Sequence, residues 1–425
     1  MVDKLTIIKG GKLIDPSQDI DDIFDILIED GKVKELIKTG EDRAGDIVDA
    51  VGMIVVPGLI DMHTHLREPG FEYKETIESG CRAGAAGGFT TLVAMANTSP
   101  VNDNASVTEF ILKKAREEGV VNVLPVGAVT KGMKGEGITE MGELKRAGVA
   151  ALSDDGLPVM NSEVMRRALE YSRAFDLPII SHAEDYHLSF SGVMHEGRVS
   201  ARLGLRGIPR EAEEVMVARD IALAALTGGR VHIAHVSSKG SVELIRDAKK
   251  RGVNVTAEVT PHHLNLTEEE VVGYQTNAKV NPPLREVKDI EALKQGLVDG
   301  TIDVIATDHA PHSSVEKDVE IEQAACGISG LETALSLSLR LVHDEVLSIS
   351  ELISRFTVNP SKILEIDAGT FKAGSVADLT IIDMDKEWTV DPAVFRSKGK
   401  NTPFAGWRLK GKVVKTMVGG EIVYG

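Results

Sequence analysis

From residue 54 onward, short apolar runs alternate with longer stretches in which apolar positions recur every three or four residues. The runs fall at 54–63, 91–96, 122–126, 149–153, 178–182, 231–236, 254–259 and 303–307, and they read as buried strands. The stretches between them, such as 106–118, 162–175, 210–226, 241–251 and 289–297, carry the helical period. Eight such alternations predict an α/β fold of the (β/α)8 TIM-barrel type. A doubly wound open sheet alternates in the same way, but no GxGxxG follows the first strand and there is no P-loop. Ahead of residue 54 the pattern is all-β. Apolar stretches at 5–8, 13–14, 24–28, 33–37 and 47–51 are broken at Gly10-Gly11, Asp15-Pro16 and Asp30-Gly31. Beyond a helix-rich region at 331–364, strands return at 379–382, 413–418 and 422–424, with Gly419-Gly420 as a hairpin turn. Chain termini often lie close together. The two β segments are therefore expected to form one small β-sandwich domain, 1–55 plus 366–425, beside a barrel at 56–365.

Active sites of such barrels lie at the C-terminal ends of the strands. Here those ends carry metal-type side chains: His63 and His65, Asp154-Asp155, His182, His235 and Asp308. Side chains two apart on a strand share a face, which puts His63, His65 and Arg67 together. Two imidazoles make half of a metal site, and an arginine beside them calls for a bound carboxylate. Spacing leaves Asp154 and Asp155 competing for one position. The same alternation groups His235 with Val231 and Ile233, turns His232 toward the helices and turns His309 away from Asp308. His262-His263 after the seventh strand either support the site or cap a loop. His187, His195 and His343 sit in polar or helical stretches and read as solvated, and Cys81 reads as core.

Four histidines with one or two aspartates suit Zn²⁺, which lowers the pKa of bound water to about 7. Asp308 then stands where a carboxylate can shuttle a proton from that water to a leaving nitrogen. No GxSxG elbow points to a serine mechanism. The polar stretch 309–327 suits a lid, with His312 near enough to its start to reach substrate.

Composition narrows the picture. A chain of 425 residues with 42% hydrophobic content fits a large barrel plus a smaller domain. Its formal net charge of -17 argues against nucleic acid and anionic membranes as partners. It leaves room for a small anion held by a cation and an arginine. Two cysteines make no disulfide framework, and residues 1–10 carry no apolar signal core, so the cytoplasm is expected.

The motifs DMHTHLREPG (61–70), MANTSP (95–100), SDDG (153–156), SHAED (181–185), IAHVSS (233–238), TPHHL (260–264), NPPLR (281–285), ATDHAPH (306–312) and GISGLET (327–333) resemble the amidohydrolase superfamily. Within it they resemble the type I dihydroorotases, over essentially the whole chain. The resemblance implies that His63, His65, Asp155, His182, His235 and Asp308 hold one or two Zn²⁺ ions, with Asp308 also the proton shuttle. It selects Asp155 over Asp154, at the place where hydantoinases and allantoinases use a carbamylated lysine. By the same likeness Arg67, Asn97 and His312 hold a substrate carboxylate, beside His65. Asn281 and the backbone at Cys326-Gly327 touch the ring. The implied reaction is reversible cyclisation of N-carbamoyl-L-aspartate to (S)-dihydroorotate, in pyrimidine synthesis. A homodimer and association with aspartate carbamoyltransferase are the expected assemblies. The competing readings are a cyclic amidase for allantoin, hydantoins or dihydropyrimidines, and a catalytically dead scaffold.

Overall fold

The computed structural model describes residues 5–40 and 44–425. One of its two eight-stranded sheets is the parallel barrel. The strands are Leu59–Thr64, Phe89–Ala94, Asn122–Gly127, Ala151–Leu152, Ile179–Ser181, Val231–Ile233, Val255–Val259 and Val304–Ile305, neighbours in chain order. The ring closes where Thr64 bridges His309 in parallel and the His65 N–H donates to the His309 carbonyl at 2.9 Å. Each predicted strand is present.

The helices outside form for local reasons. Helix Lys239–Lys250 begins at Ser238, whose hydroxyl accepts from the Ser241 N–H at 3.1 Å. It buries Val242, Ile245 and Ala248 along one stripe and ends with Lys249 and Lys250, which complement the carbonyl end of the helix. The inner faces of the strands make a separate apolar plug of Ile60, Met62, Val93, Val126, Ala151, Ile180, Ala234, Val304 and Ala306, stoppered by Ile363 and Leu364. The barrel is therefore a packed core with a polar mouth, not a pore.

The second sheet is mixed and draws on both ends of the described chain. Its order is Glu421–Tyr424, Arg408–Val418, Leu379–Thr389, Ile54–Pro57, Leu5–Asp15, Ile20–Glu29 and Lys32–Lys38, with Asp46–Asp49 also pairing Leu5–Asp15. Ile8, Leu13, Ile26, Val55, Phe371, Leu379 and Met417 are buried together in its core.

Two expectations change here. The run 54–63 is not one strand. Ile54–Pro57 belongs to the terminal sheet, parallel to Lys12-Leu13 and antiparallel to Leu379–Ile382, and Leu59–Thr64 starts the barrel. Gly58 makes the crossing, and a Cβ there would run into Thr90. Gly10-Gly11 is not a turn either. It is a bulge inside the continuous strand Leu5–Asp15, with Gly10 at φ 72°.

Candidate active site

At the mouth of the barrel the strand ends bend inward. His235 and Asp308 have φ of 34° and 46°, and Arg67 in the loop after the first strand has 64°, a left-handed region that costs any residue with a Cβ. Strain of this kind persists where surrounding contacts hold it. One such brace is Asp61, which accepts from the Thr307 N–H at 3.0 Å and the Thr307 hydroxyl at 2.6 Å, just before Asp308.

The imidazoles are aimed by their far nitrogens. His63 Nδ1 lies 2.6 Å from Glu258 Oε1, a carboxylate that can only accept, so the proton sits on Nδ1 and the lone pair of Nε2 faces the mouth. His65 Nδ1 donates to Asn97 Oδ1 at 2.9 Å, and His182 Nε2 donates to Glu184 Oε2 at 3.0 Å. The freed nitrogens surround Asp155. Its Oδ2 lies 3.2 Å from His63 Nε2 and 3.4 Å from His65 Nε2. Its Oδ1 lies 3.4 Å from both His182 Nδ1 and His235 Nε2. Asp308 Oδ1 completes the first half, 3.1 Å from His65 Nε2 and 3.6 Å from His63 Nε2. The ligand atoms of His63, His65 and Asp155 lie within 4.8 Å of one another, and so do those of Asp155, His182 and His235.

This donor set fits a metal. His63 Nε2 and Asp155 Oδ1 are buried with no hydrogen-bond partner, and His182 Nδ1 points at His235 Nε2 across 2.8 Å. Buried polar atoms left in this way need a cation. The charges agree. Burial resists protonation of His182, yet its hydrogen bonds to Asp155 and Glu184 push it up to about 10. Burial likewise works against the Glu258 carboxylate, but His63 and His232 hold it down to about 2. Carboxylates that pull protons so strongly onto imidazoles would take a divalent ion in their place.

A cavity of about 290 Å³ opens above, lined by His65, Arg67, Asn97, Asp155, His182, His235, Asn281, Asp308, His312, Cys326 and Gly327. These are the predicted site residues apart from His63, which is fully buried beneath. Arg67 reaches Pro311 O at 3.3 Å and lies 3.3 Å from His312 Nε2. Among the described residues no carboxylate forms an ion pair with it. His312 Nε2 donates to the Cys326 carbonyl at 2.9 Å, and burial together with Arg67 lowers its pKa to about 3, so the ring stays neutral. Asn281 donates to Glu184 at 2.9 Å. The stretch 309–327 is pinned over the rim: Lys279 Nζ donates to Ile321 O at 2.6 Å, and Asn401 Nδ2 to Gly327 O at 2.9 Å. A larger hollow of about 550 Å³ lies elsewhere, near Ile138 and Tyr171. Its one cation, Arg167, is already paired, with Glu163 at 2.9 Å and with Glu170 at 3.1 Å.

Two histidines, His232 and His195, differ from their sequence reading. His232 points into the barrel rather than toward the helices. Val231 and Ile233 pack outward instead, and the left-handed turn at His235 breaks the alternation that linked them. His195 is not solvated. It is 2% exposed and lies 3.1 Å from Arg285 and 3.3 Å from Arg210, and burial with those two cations lowers it to about 4. His187 and His343 are exposed, and Cys81 is core. His309 faces Glu75 at 3.2 Å, away from the mouth. Asp154 accepts from the Val129 N–H at 2.8 Å and from Thr130, outside the cluster. His263 bonds Thr260 and the Pro282 carbonyl, whereas His262 Nε2 is buried without a partner. Glu258 and Glu184 went unassigned in the sequence, although Glu184 lies in SHAED and Glu258 two residues before TPHHL. An acidic residue in an otherwise apolar strand was the signal available for Glu258.

A family model described as Dihydro-orotase-like matches residues 52–241, and one described as Amidohydrolase family matches 199–424. The chain is 57% identical over 420 residues to a dihydroorotase of Syntrophus aciditrophicus, covering 98% of this chain and 99% of that one. It is 58% identical over 419 residues to a dihydroorotase of Geobacter metallireducens, with the same coverage. Among solved structures, an L-hydantoinase (dihydropyrimidinase) from Arthrobacter aurescens superposes with a TM-score of 0.90 at 27% identity, covering 100% of this chain and 96% of that one. With relatives more than half identical from end to end, the chain belongs to the dihydroorotases of the amidohydrolase family.

Proposed function

We propose that this chain interconverts (S)-dihydroorotate plus water and N-carbamoyl-L-aspartate in pyrimidine synthesis, with Zn²⁺ as its metal. The observation that carries the choice of substrate is Arg67. It is a guanidinium without a carboxylate partner among the described residues, opening on the same cavity as the His and Asp cluster. Dihydroorotate brings the missing carboxylate, which Arg67 would grip with the Asn97 amide and His312. Asn281 and the backbone at Cys326-Gly327 would hold the ring. His63, His65 and Asp308 on one oxygen of Asp155, with His182 and His235 on the other, support two ions rather than one. Bound there, zinc supplies a nucleophilic water at neutral pH and polarises the scissile carbonyl. Asp308 would take a proton from the attacking water and deliver it to the ring nitrogen as the C–N bond breaks, and ring closure would run the same transfers backwards.

The division of labour would follow the two sheets, with the expected 56–365, less Val56 and Pro57 that pair in the terminal sheet, as the hydrolase and the two terminal segments as its support. Among the described residues no helix is long and apolar enough to cross a membrane. We place the enzyme in the cytoplasm, from its cysteine usage, as a homodimer, the general expectation for a soluble enzyme, with aspartate carbamoyltransferase as a candidate partner.

The rival reading, a hydantoinase-type cyclic amidase, has the close superposition with L-hydantoinase in its favour. Kinetics on dihydroorotate, dihydrouracil and hydantoin, with and without a chelator, separate the two. Dihydroorotate should be turned over fastest, and zinc should restore what the chelator removes. Hydrogen bonds to a charged group contribute about 1.5–3 kcal/mol, so Arg67→Ala should lower kcat/KM for dihydroorotate about 10–100-fold. Faster turnover of dihydrouracil by the unaltered enzyme would reject the assignment.

A further inference from the structure

Every barrel strand run but the seventh sends at least one apolar side chain into the interior below the mouth. The sixth and seventh strands bury His232 and Glu258 there, both 0% exposed. Glu258 Oε1 meets His63 Nδ1 at 2.6 Å and the backbone N–H of His235 at 3.3 Å. Its other oxygen lies 3.1 Å from His232 Nε2, and His232 Nδ1 lies 2.8 Å from the Thr256 hydroxyl. One carboxylate thus contacts a member of each half of the cluster: the ring of His63 and the left-handed backbone of His235. A carboxylate buried between two imidazoles is a poor way to stabilise a core that valine or leucine would fill as well. Its use is geometric. The carboxylate fixes the His63 tautomer and ring plane, and it braces the turn that swings His235 inward.

We propose that Glu258, locked in place by His232, is a positioning residue that holds the two halves of the cation site in register. Glu258 acts through the histidines and does not touch substrate. The proposal rests on the metal-site reading given above, and its test keeps the two apart.

The probe is Zn²⁺ itself, titrated into metal-stripped full-length protein against a chromogenic chelator. Co²⁺ absorption spectra serve as a second readout. Removing such a supporting partner typically weakens metal affinity 10–100-fold. Glu258→Gln should show a loss of that size, altered Co²⁺ bands and, at saturating zinc, a lower kcat with KM for dihydroorotate within about threefold of the unaltered enzyme. A carboxylate that merely supported the fold would lower the melting temperature of the metal-free protein and leave zinc affinity and the Co²⁺ spectrum unchanged. That result would overturn the proposal. If Glu258→Gln gives no soluble protein, His232→Phe decides. It keeps a ring in the core but removes the donor, and zinc affinity should fall several-fold; an unchanged affinity rejects the role. Unaltered protein that binds no zinc would instead reject the metal-site reading itself.

Discussion

The mouth and the plug of the barrel are built from the same strands, one or two residues apart. Met62 is plug and His63 is mouth; so are Ile180 and His182, Ala234 and His235, Ala306 and Asp308. In the plug, side chains alternate regularly and, apart from His232 and Glu258 on two neighbouring strands, are apolar. In the mouth, backbone turns left-handed, carboxylates face imidazoles and buried atoms lack partners. The plug can therefore keep the strands in place while the mouth carries strain and unpaired charge. Stability and chemistry should respond separately to substitution.

The strongest test of that separation is at the mouth. Asp308→Asn keeps the shape but removes the proposed proton acceptor. Loss of a general acid–base group typically costs 10²–10⁴-fold, so turnover of dihydroorotate should fall about 10³-fold with the fold intact by circular dichroism. A variant retaining a tenth of the activity would show that the proton travels elsewhere. The reverse test lies in the terminal sheet, where Phe371 is fully buried. Phe371→Ala should cost about 3–5 kcal/mol in urea denaturation while the surviving folded fraction keeps its kcat/KM. A matching loss of kcat/KM would break the comparison.

The smallest effect concerns a buried polar group outside the mouth. His195 titrates near 4 in the fold, below the ordinary value of 6.5, because burial and two arginines disfavour its charged form. The unfolded chain therefore binds the proton first. The stability this site contributes is complete above pH 6.5 and is lost as pH falls toward 4. His195→Gln should flatten the decline of the urea midpoint over that window relative to the unaltered protein, without changing the pH profile of kcat. An identical decline in both proteins would mean that His195 does not titrate as placed.

Strand order and the residues at the strand tips were legible because they depend on period and position, which a sequence carries directly. His63, His65, Asp155, His182, His235 and Asp308 come together from loops far apart in the chain only because the barrel repeats. What failed was local backbone. Alternation mis-sorted His232, since nothing in IAHVSS announces the left-handed turn at His235. His195 looked solvated because its neighbours are polar. The partners it meets in the fold, Arg210 and Arg285, are instead brought in from 15 and 90 residues away. Glu258 drew no notice because a single acid in a strand looks like an exposed residue until the strand is known to be interior.

The split of the run at Gly58 bears on the order of assembly. Ile54–Pro57 leads directly into the strand that carries His63, yet one of its two neighbours, Leu379–Ile382, lies more than three hundred residues downstream. A nascent chain leaving the ribosome holds that segment with an open backbone edge and bare valines until Leu379–Ile382 has emerged. Truncation within the last strands would leave a sticky ledge beside the metal-binding strand, and chaperone engagement during translation should centre there.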